Sequence, residues 1–190
     1  MLATSTIRRL TPEEAFELSD HDGAFVDLRA TDAFLDVHIP GSLNLLYEKG
    51  PGFASRARDC LPLSLHLVLL DDGSVDPVAA AAALRGKGFD VVGALSDGIN
   101  VWAQHHTAPA STEVVEVVTE GMTVLDVGDP GASAPHGSIA IPVERLWSRI
   151  DEVRNVDRPV VAAGFGVRAA LAIGILEHHG VTPGFLKTRR

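Results

Sequence analysis

The sequence predicts an α/β protein built from mostly parallel sheets with helices on both faces, the arrangement occurring twice along the chain. Three observations carry this. Short apolar runs of strand length alternate with helical stretches bounded by caps and glycines. Segments recur in order: Phe25-Val26-Asp27-Leu28 resembles Val124-Leu125-Asp126-Val127, and Gly41-Ser42-Leu43-Asn44-Leu45 resembles Gly137-Ser138-Ile139-Ala140-Ile141. Likewise Val68-Leu69-Leu70-Asp71 with its loop resembles Val160-Val161-Ala162-Ala163 with its own; the offsets are 99, 96 and 92 residues. Between the copies lies Thr107-Ala108-Pro109-Ala110-Ser111-Thr112, a small-residue, Pro-containing linker. The expected domains are therefore 1–106 and 113–190, joined by 107–112, with the second copy shortened at its C-terminal end and leaning on the first copy or on another chain.

The elements of the first copy follow from local chemistry. Thr11-Pro12-Glu13-Glu14 is a capping box with Pro at the first helical position, starting a helix to about residue 19. A buried strand is expected over 24–28, a helix over 31–37 and a strand over 42–45. The central strand falls at 66–70. Asp76-Pro77 caps a helix through residue 85, which Gly86 and Gly88 stop. Its Ala79 to Ala83 run is strongly helix-forming and small enough to pack close to a sheet. A strand over 90–95 and a helical turn over 99–103 complete the copy. In the second copy, Pro159-Val160-Val161-Ala162-Ala163 is an apolar strand leading into Gly164-Phe165-Gly166-Val167-Arg168 and an Ala-rich helical stretch.

In such sheets ligands sit at the carboxyl ends of the strands. The loops after Leu70 and Ala163 fall there. A strand, a tight Gly-bearing loop and a helix N-terminus present backbone N–H groups to an anion, and a nucleophile at the first loop position would be activated by them. Position 163 holds a methyl group instead. Position 71 holds Asp, within the acidic loop Asp71-Asp72-Gly73-Ser74-Val75-Asp76. Three carboxylates in six residues repel anionic substrates, each like-charge pair costing about 1–4 kcal/mol in a partly screened site. Asp76 is the one whose place is explained by helix capping.

Composition narrows the function classes. The 190 residues are 46% apolar and 22% charged, with no apolar run of membrane-spanning length. The N-terminal residues have no apolar core of signal-peptide type, so a cytoplasmic protein is expected. The net charge of −9 divides as −7 over residues 1–110 and −2 over residues 111–190, which argues against a nucleic-acid partner. One cysteine, Cys60, allows no intrachain disulfide. It is expected as a partly buried thiol in a connector. Asp27 and Asp126, each after a buried strand, are expected to fix their loops, and Arg29 to pair with Asp27 or a neighbouring carboxylate. His38 and His136 occupy matching turns and are expected to bond locally. His105-His106 and His178-His179 fall near helix ends, where a cation is favourable. No histidine spacing forms a metal site, so neither metal nor cofactor is expected. Trp102 and Trp147 are expected to anchor the cores.

Asp27-Leu28-Arg29, His38-Ile39-Pro40-Gly41-Ser42-Leu43-Asn44, Gly88-Phe89-Asp90-Val91-Val92 and Asp97-Gly98-Ile99-Asn100-Val101-Trp102 stand in an order and spacing that resembles the rhodanese family. The second copy is similar but poorer: it keeps Asp126, His136-Gly137-Ser138 and Gly166-Val167-Arg168. The resemblance implies a tandem of two rhodanese-like domains. It also implies the family activity, passage of sulfane sulfur from a loop cysteine persulfide to a nucleophile such as cyanide or a thiol. The family loop reads Cys, two residues, Gly, one residue, Arg. The second loop here fits except for Ala163 at the cysteine; the first has Asp71 at the cysteine and Asp76 at the arginine. An alkyl side chain is no nucleophile. The expected function is a binding or regulatory module without sulfurtransferase activity. Its partner would be a protein or a small sulfur-containing anion or persulfide, held by Gly164, Phe165, Gly166 and Val167 with Arg168 as counter-charge. The alternative is an active sulfurtransferase using Cys60 or a partner's thiol. The Asp71-Asp72 pair also suggests an aspartyl phosphatase of the haloacid dehalogenase type, but that motif places its second Asp two positions on rather than adjacent.

Overall fold

The computed structural model describes residues 6–20, 22–48, 52–129, 136–163 and 166–187. The expected alternation is present. Helix α1 (Pro12–Ser19) starts at Thr11, whose side chain accepts the Glu14 N–H while the Glu14 carboxylate accepts the Thr11 N–H. Strand β1 (Gly23–Asp27), helix α2 (Thr31–Asp36) and strand β2 (Leu43–Asn44) follow. Then come α3 (Gly52–Cys60), β3 (His66–Asp71), α4 (Pro77–Gly86), β4 (Asp90–Ser96) and α5 (Gly98–His105). The second half contributes β5 (Val114–Val115), β6 (Thr123–Asp126), β7 (Ile139–Ala140) and α6 (Val143–Leu146). A 3-10 helix (Trp147–Glu152), β8 (Pro159–Ala162), α7 (Gly166–His178) and β9 (Gly184–Leu186) complete it.

Two sheets result. The first runs β2-β1-β3-β4 and the second β5-β9-β8-β6-β7. Every strand pair in both is parallel. Parallel neighbours require crossovers, and the helices supply them. In the first half apolar residues cover both faces of the sheet. One face packs Phe25, Val68, Leu70 and Leu95 against Ala15 and Phe16 of α1 and against Ile99 and Trp102 of α5. The other packs Val26, Leu67 and Leu69 against α3 and α4.

That second cluster does not stop at the linker. It continues without a break into Leu125, Val161, Leu146 and the buried face of α7. Helix α7 lies along β2 and α2 of the first half, and α3 packs on α6. The two halves approach closely at Gly174: a Cβ there would sit 2.3 Å from the Ser42 carbonyl oxygen and 3.1 Å from the Leu43 Cα.

Two expectations are corrected. Cys60 is not in a connector: it is the last residue of α3, 4% exposed and part of the shared core. His178 is half-buried beside Trp147, and desolvation first, then His179, hold its imidazole below the usual range. It is therefore not the cation that its place at a helix end suggests. Trp102 packs in the α1–α5 cluster and Trp147 against the shared core.

Candidate functional site

The carboxyl ends of β1, β3 and β4 frame a cleft of about 220 Å³. Asp27, Arg29, Asp71, Asp72, Asp97 and Asn100 line it over the apolar floor of Leu70 and Ile99. Asp27 is fully buried and holds Arg29 in a two-pronged ion pair. Its carboxylate accepts Nε at 3.0 Å, Nη2 at 2.7 Å and the Arg29 backbone N–H at 2.9 Å. Arg29 Nη2 also donates to the Val37 carbonyl at 2.6 Å. The expected Asp27–Arg29 pairing is thus the geometry found, and it spends the arginine on structure rather than on a ligand.

Asp71 is the last residue of β3. Its carboxylate pairs with Arg9 and accepts the Gly73 N–H at 3.0 Å, while its carbonyl accepts the Asp97 N–H at 2.8 Å. Asp72 accepts the Ser74 N–H at 2.9 Å. Burial alone would raise the Asp72 carboxyl, but the Ser74 hydroxyl and amide and the charge of Arg29 outweigh it and hold the group below the usual carboxylate range. Gly73 supplies the left-handed turn at φ 83°. Val75 tucks against the core, and Asp76 caps α4 through the Val78 N–H at 2.9 Å. Asp97 is itself left-handed at φ 51° and accepts from the Asn100 amide at 2.7 Å. The first loop is therefore an acidic rim tied to its own backbone. It offers carboxylates, and no thiol, at the end of the central strand.

In the second half, Ala163 follows β8 and is 7% exposed within the shared core. Gly164 and Phe165 lie outside the described residues. Gly166 opens α7 with its Cα turned to Thr31, where a Cβ would meet the Thr31 Cγ2 at 3.1 Å. Val167 is half-buried. Arg168 carries partners that local sequence did not reveal. Its guanidinium donates to Glu144 at 2.6 Å and to the Val127 carbonyl at 3.2 Å, and it lies 3.2 Å from Asp129. An anion in this loop would share Arg168 with two carboxylates. Asp126 fixes its turn as expected, accepting the Gly128 N–H at 2.9 Å.

Cys60 lies within the electrostatic reach of Glu144 and Arg168, at the contact of α3 with α6. Burial chiefly, with the Glu144 charge adding and Arg168 opposing, pushes its thiol up to about 12. Thiolate is the nucleophilic form, so a thiol in this setting is inert. His136 is exposed in its turn. His38 bonds locally, as expected, to the Phe34 carbonyl, and its other ring nitrogen reaches Glu177 of α7. Arg9, Glu144, Asp129 and Glu177 are the participants that sequence reasoning missed. Each joins its partner across the fold, at separations no local pattern encodes.

Residues 11–105 match the family model described as the rhodanese-like domain. The chain is 35% identical over 109 residues to the thiosulfate sulfurtransferase GlpE of Pseudomonas putida strain GB-1, spanning 57% of this chain and 94% of that protein. It is 32% identical over 105 residues to YibN of Escherichia coli K12, spanning 53% of this chain and 70% of that one. Among solved structures, a thiosulfate sulfurtransferase from Pseudomonas aeruginosa aligns over 95% of this chain and 38% of its own, at 19% identity and a TM-score of 0.42. SseA of Escherichia coli aligns over 95% and 98%, at 17% identity and a TM-score of 0.39.

Proposed function

The chain belongs to the rhodanese-like family, and from that premise we propose that it is a member without sulfurtransferase activity, serving as a binding or regulatory module. On this reading residues 113–190 are a second, diverged rhodanese-like domain, joined by 107–112 to the first at 1–106, in a cytoplasmic protein. The observation that carries the reading is Asp71. It stands where the family's loop cysteine would stand, at the carboxyl end of β3, with its carboxylate engaged by Arg9 and the Gly73 N–H. Ala163 repeats the loss after β8, and Cys60 is buried with a thiol pushed up to about 12.

Recognition falls to the loop after β8. Gly166, Val167 and Arg168 are the first residues of α7, whose N-terminus favours an anion. A sulfur-containing anion or a partner's persulfide is the ligand class of that family and the one this loop would take. The acidic first loop would repel it.

Sulfur transfer from thiosulfate to cyanide tests the catalytic half of the proposal. No turnover is expected from the intact chain or from Cys60→Ser. Turnover that Cys60→Ser abolishes would establish a sulfurtransferase working through Cys60. Turnover that appears only with an added thiol protein would place the nucleophile on a partner. Titration with thiosulfate, read by thermal stability, tests the binding half: a stabilisation lost in Arg168→Ala supports the second loop. No stabilisation, or one that Arg168→Ala leaves unchanged, removes that loop from the proposal.

A further inference from the structure

Glu177 lies in the last turn of α7 and reaches across to the first half of the chain. Its Oε2 lies 2.9 Å from Nε2 of His38 and accepts the Gly41 N–H at 3.1 Å. The other ring nitrogen of His38, Nδ1, lies 2.7 Å from the Phe34 carbonyl oxygen. His38 is fully buried, and its ring stacks on Phe34 with centroids 4.2 Å apart and planes at 20°. Both ring nitrogens therefore face oxygens. A carbonyl and an ionised carboxylate only accept, and a neutral imidazole has a single N–H. A neutral ring would leave a lone pair against one of the two oxygens, out of reach of water. The ring with both protons donates to both, and its bond to Glu177 is charge-assisted.

We propose that His38 is held as a buried imidazolium whose second proton latches α7 of the second half onto the first half of the chain. The latch occupies a junction where the backbones already touch. Gly41 is left-handed at φ 76°, and a Cβ on it would sit 3.3 Å from the Cα of His178. Glu177 forms a wall shared by two cavities, one of about 350 Å³ with Pro40 and Arg158, the other of about 290 Å³ with Gly41 and Asp20. Removing the proton takes away the hydrogen bond and the countercharge together, and sets a lone pair against Oε2. The latch is therefore closed at lower pH and loosened as pH rises.

The surrounding charged groups do not supply this proton. His178 is held toward its neutral form by burial and by His179. His179 bonds through Nδ1 to the Ile175 carbonyl at 3.0 Å. Asp20 shares one cavity with Glu177, and Glu113 and Arg158 share the other. Asp36, at the end of α2, is exposed. At its other end α7 begins at Gly166 against Thr31, so the latch also sets the position of the helix that follows the second loop. It acts whether or not that loop binds an anion.

Two measurements on the full chain test this. Nitrogen-15 spectra of the histidine rings, with His38 assigned by its loss in His38→Gln or through its Phe34 contacts, report the ring protons directly. Two ring protons on His38 are expected at about pH 6, below the ordinary imidazole value, and one at about pH 9, above the range in which imidazoles change charge. A double-mutant cycle of His38→Gln and Glu177→Gln, read by urea midpoints, isolates the pair from His178, His179 and the acidic neighbours. The coupling is expected at about pH 6 and absent at about pH 9. If His38→Gln does not fold, Glu177→Gln alone decides: its deficit relative to the natural chain should vanish at the higher pH. A single ring proton on His38 at the lower pH, or a coupling or deficit equal at both, overturns the latch.

Discussion

Gly174 of α7 and Ser42 of the first half meet backbone to backbone. A Cβ on Gly174 would sit 2.3 Å from the Ser42 carbonyl oxygen. No real Cβ contact is that short, and neither partner is a flexible side-chain end. The glycine is thus the reason α7 can lie along β2, where it joins the two halves through one core.

Two effects oppose each other in Gly174→Ala. Helix propensity favours alanine by about 1 kcal/mol. The clash forces backbone apart inside a packed core, costing about 1–3 kcal/mol or more. The clash wins, because it is with backbone whose place is set by a turn, the Ser42 N–H donating to the Ile39 carbonyl at 2.9 Å. A lower urea midpoint is expected. An unchanged or higher midpoint would show that α7 does not sit against Ser42.

Asp27→Asn probes the buried pair behind the first loop. Asp27 is fully buried and Arg29 is 15% exposed, so water screens the pair little. Asparagine keeps the shape but sets an NH2 against the guanidinium and strands its charge. A loss of about 3–5 kcal/mol is expected, as for other buried pairs broken on one side. Adding Arg29→Met should recover part of that loss, since it removes the stranded charge. If the double variant is less stable than Asp27→Asn, the guanidinium bond to Val37 matters more than the pair.

Asp76→Ala separates capping from loop charge. The side chain accepts the Val78 N–H at the start of α4. Losing a cap costs about 1 kcal/mol, while relief of repulsion from Asp71 and Asp72 is screened at this exposed loop. Net destabilisation is expected, seen as a fall in melting temperature of about 2–4 °C for a chain of this size. Asp76→Asn should retain most of the stability, because asparagine caps as well as aspartate. A rise in melting temperature for both variants would mean that loop charge outweighs the cap.

The first half was legible because its signals are local. The Thr11 box, the Asp76 cap and the runs at Phe25 and Val68 each state their element within a few residues, and the structure places them there. Helix α3 was not legible: Gly52 to Cys60 mixes Arg56, Arg58 and Asp59 among small residues and carries no side-chain cap signal. The Asp27–Arg29 pair could be anticipated from a two-residue spacing. The partners of Arg168, 24 and 41 residues away at Glu144 and Val127, could not. Nor could the 139-residue reach from His38 to Glu177, which depends on how the second half folds back.

Cys60 gives the sharpest pH dependence. In the unfolded chain its thiol ionises near 9, whereas in the folded chain burial and Glu144 push it up to about 12. Between those values the native state holds a proton that the unfolded state has released, so stability falls as pH rises. The slope is about 1.4 kcal/mol per pH unit, beginning near the unfolded value and ending near the folded one. Below the unfolded value both states are protonated and the group contributes no pH dependence. Cys60→Ala, less stable at neutral pH by its lost packing, should show a shallower alkaline fall in urea midpoint than the natural chain. Tyrosine and lysine titrate in both proteins and cancel in the comparison. Alkylation by iodoacetamide at neutral pH should proceed only as fast as the protein opens, and should accelerate with urea. Parallel alkaline limbs, or rapid labelling of the folded protein, would show that the thiol is not confined in the core at the contact of α3 with α6.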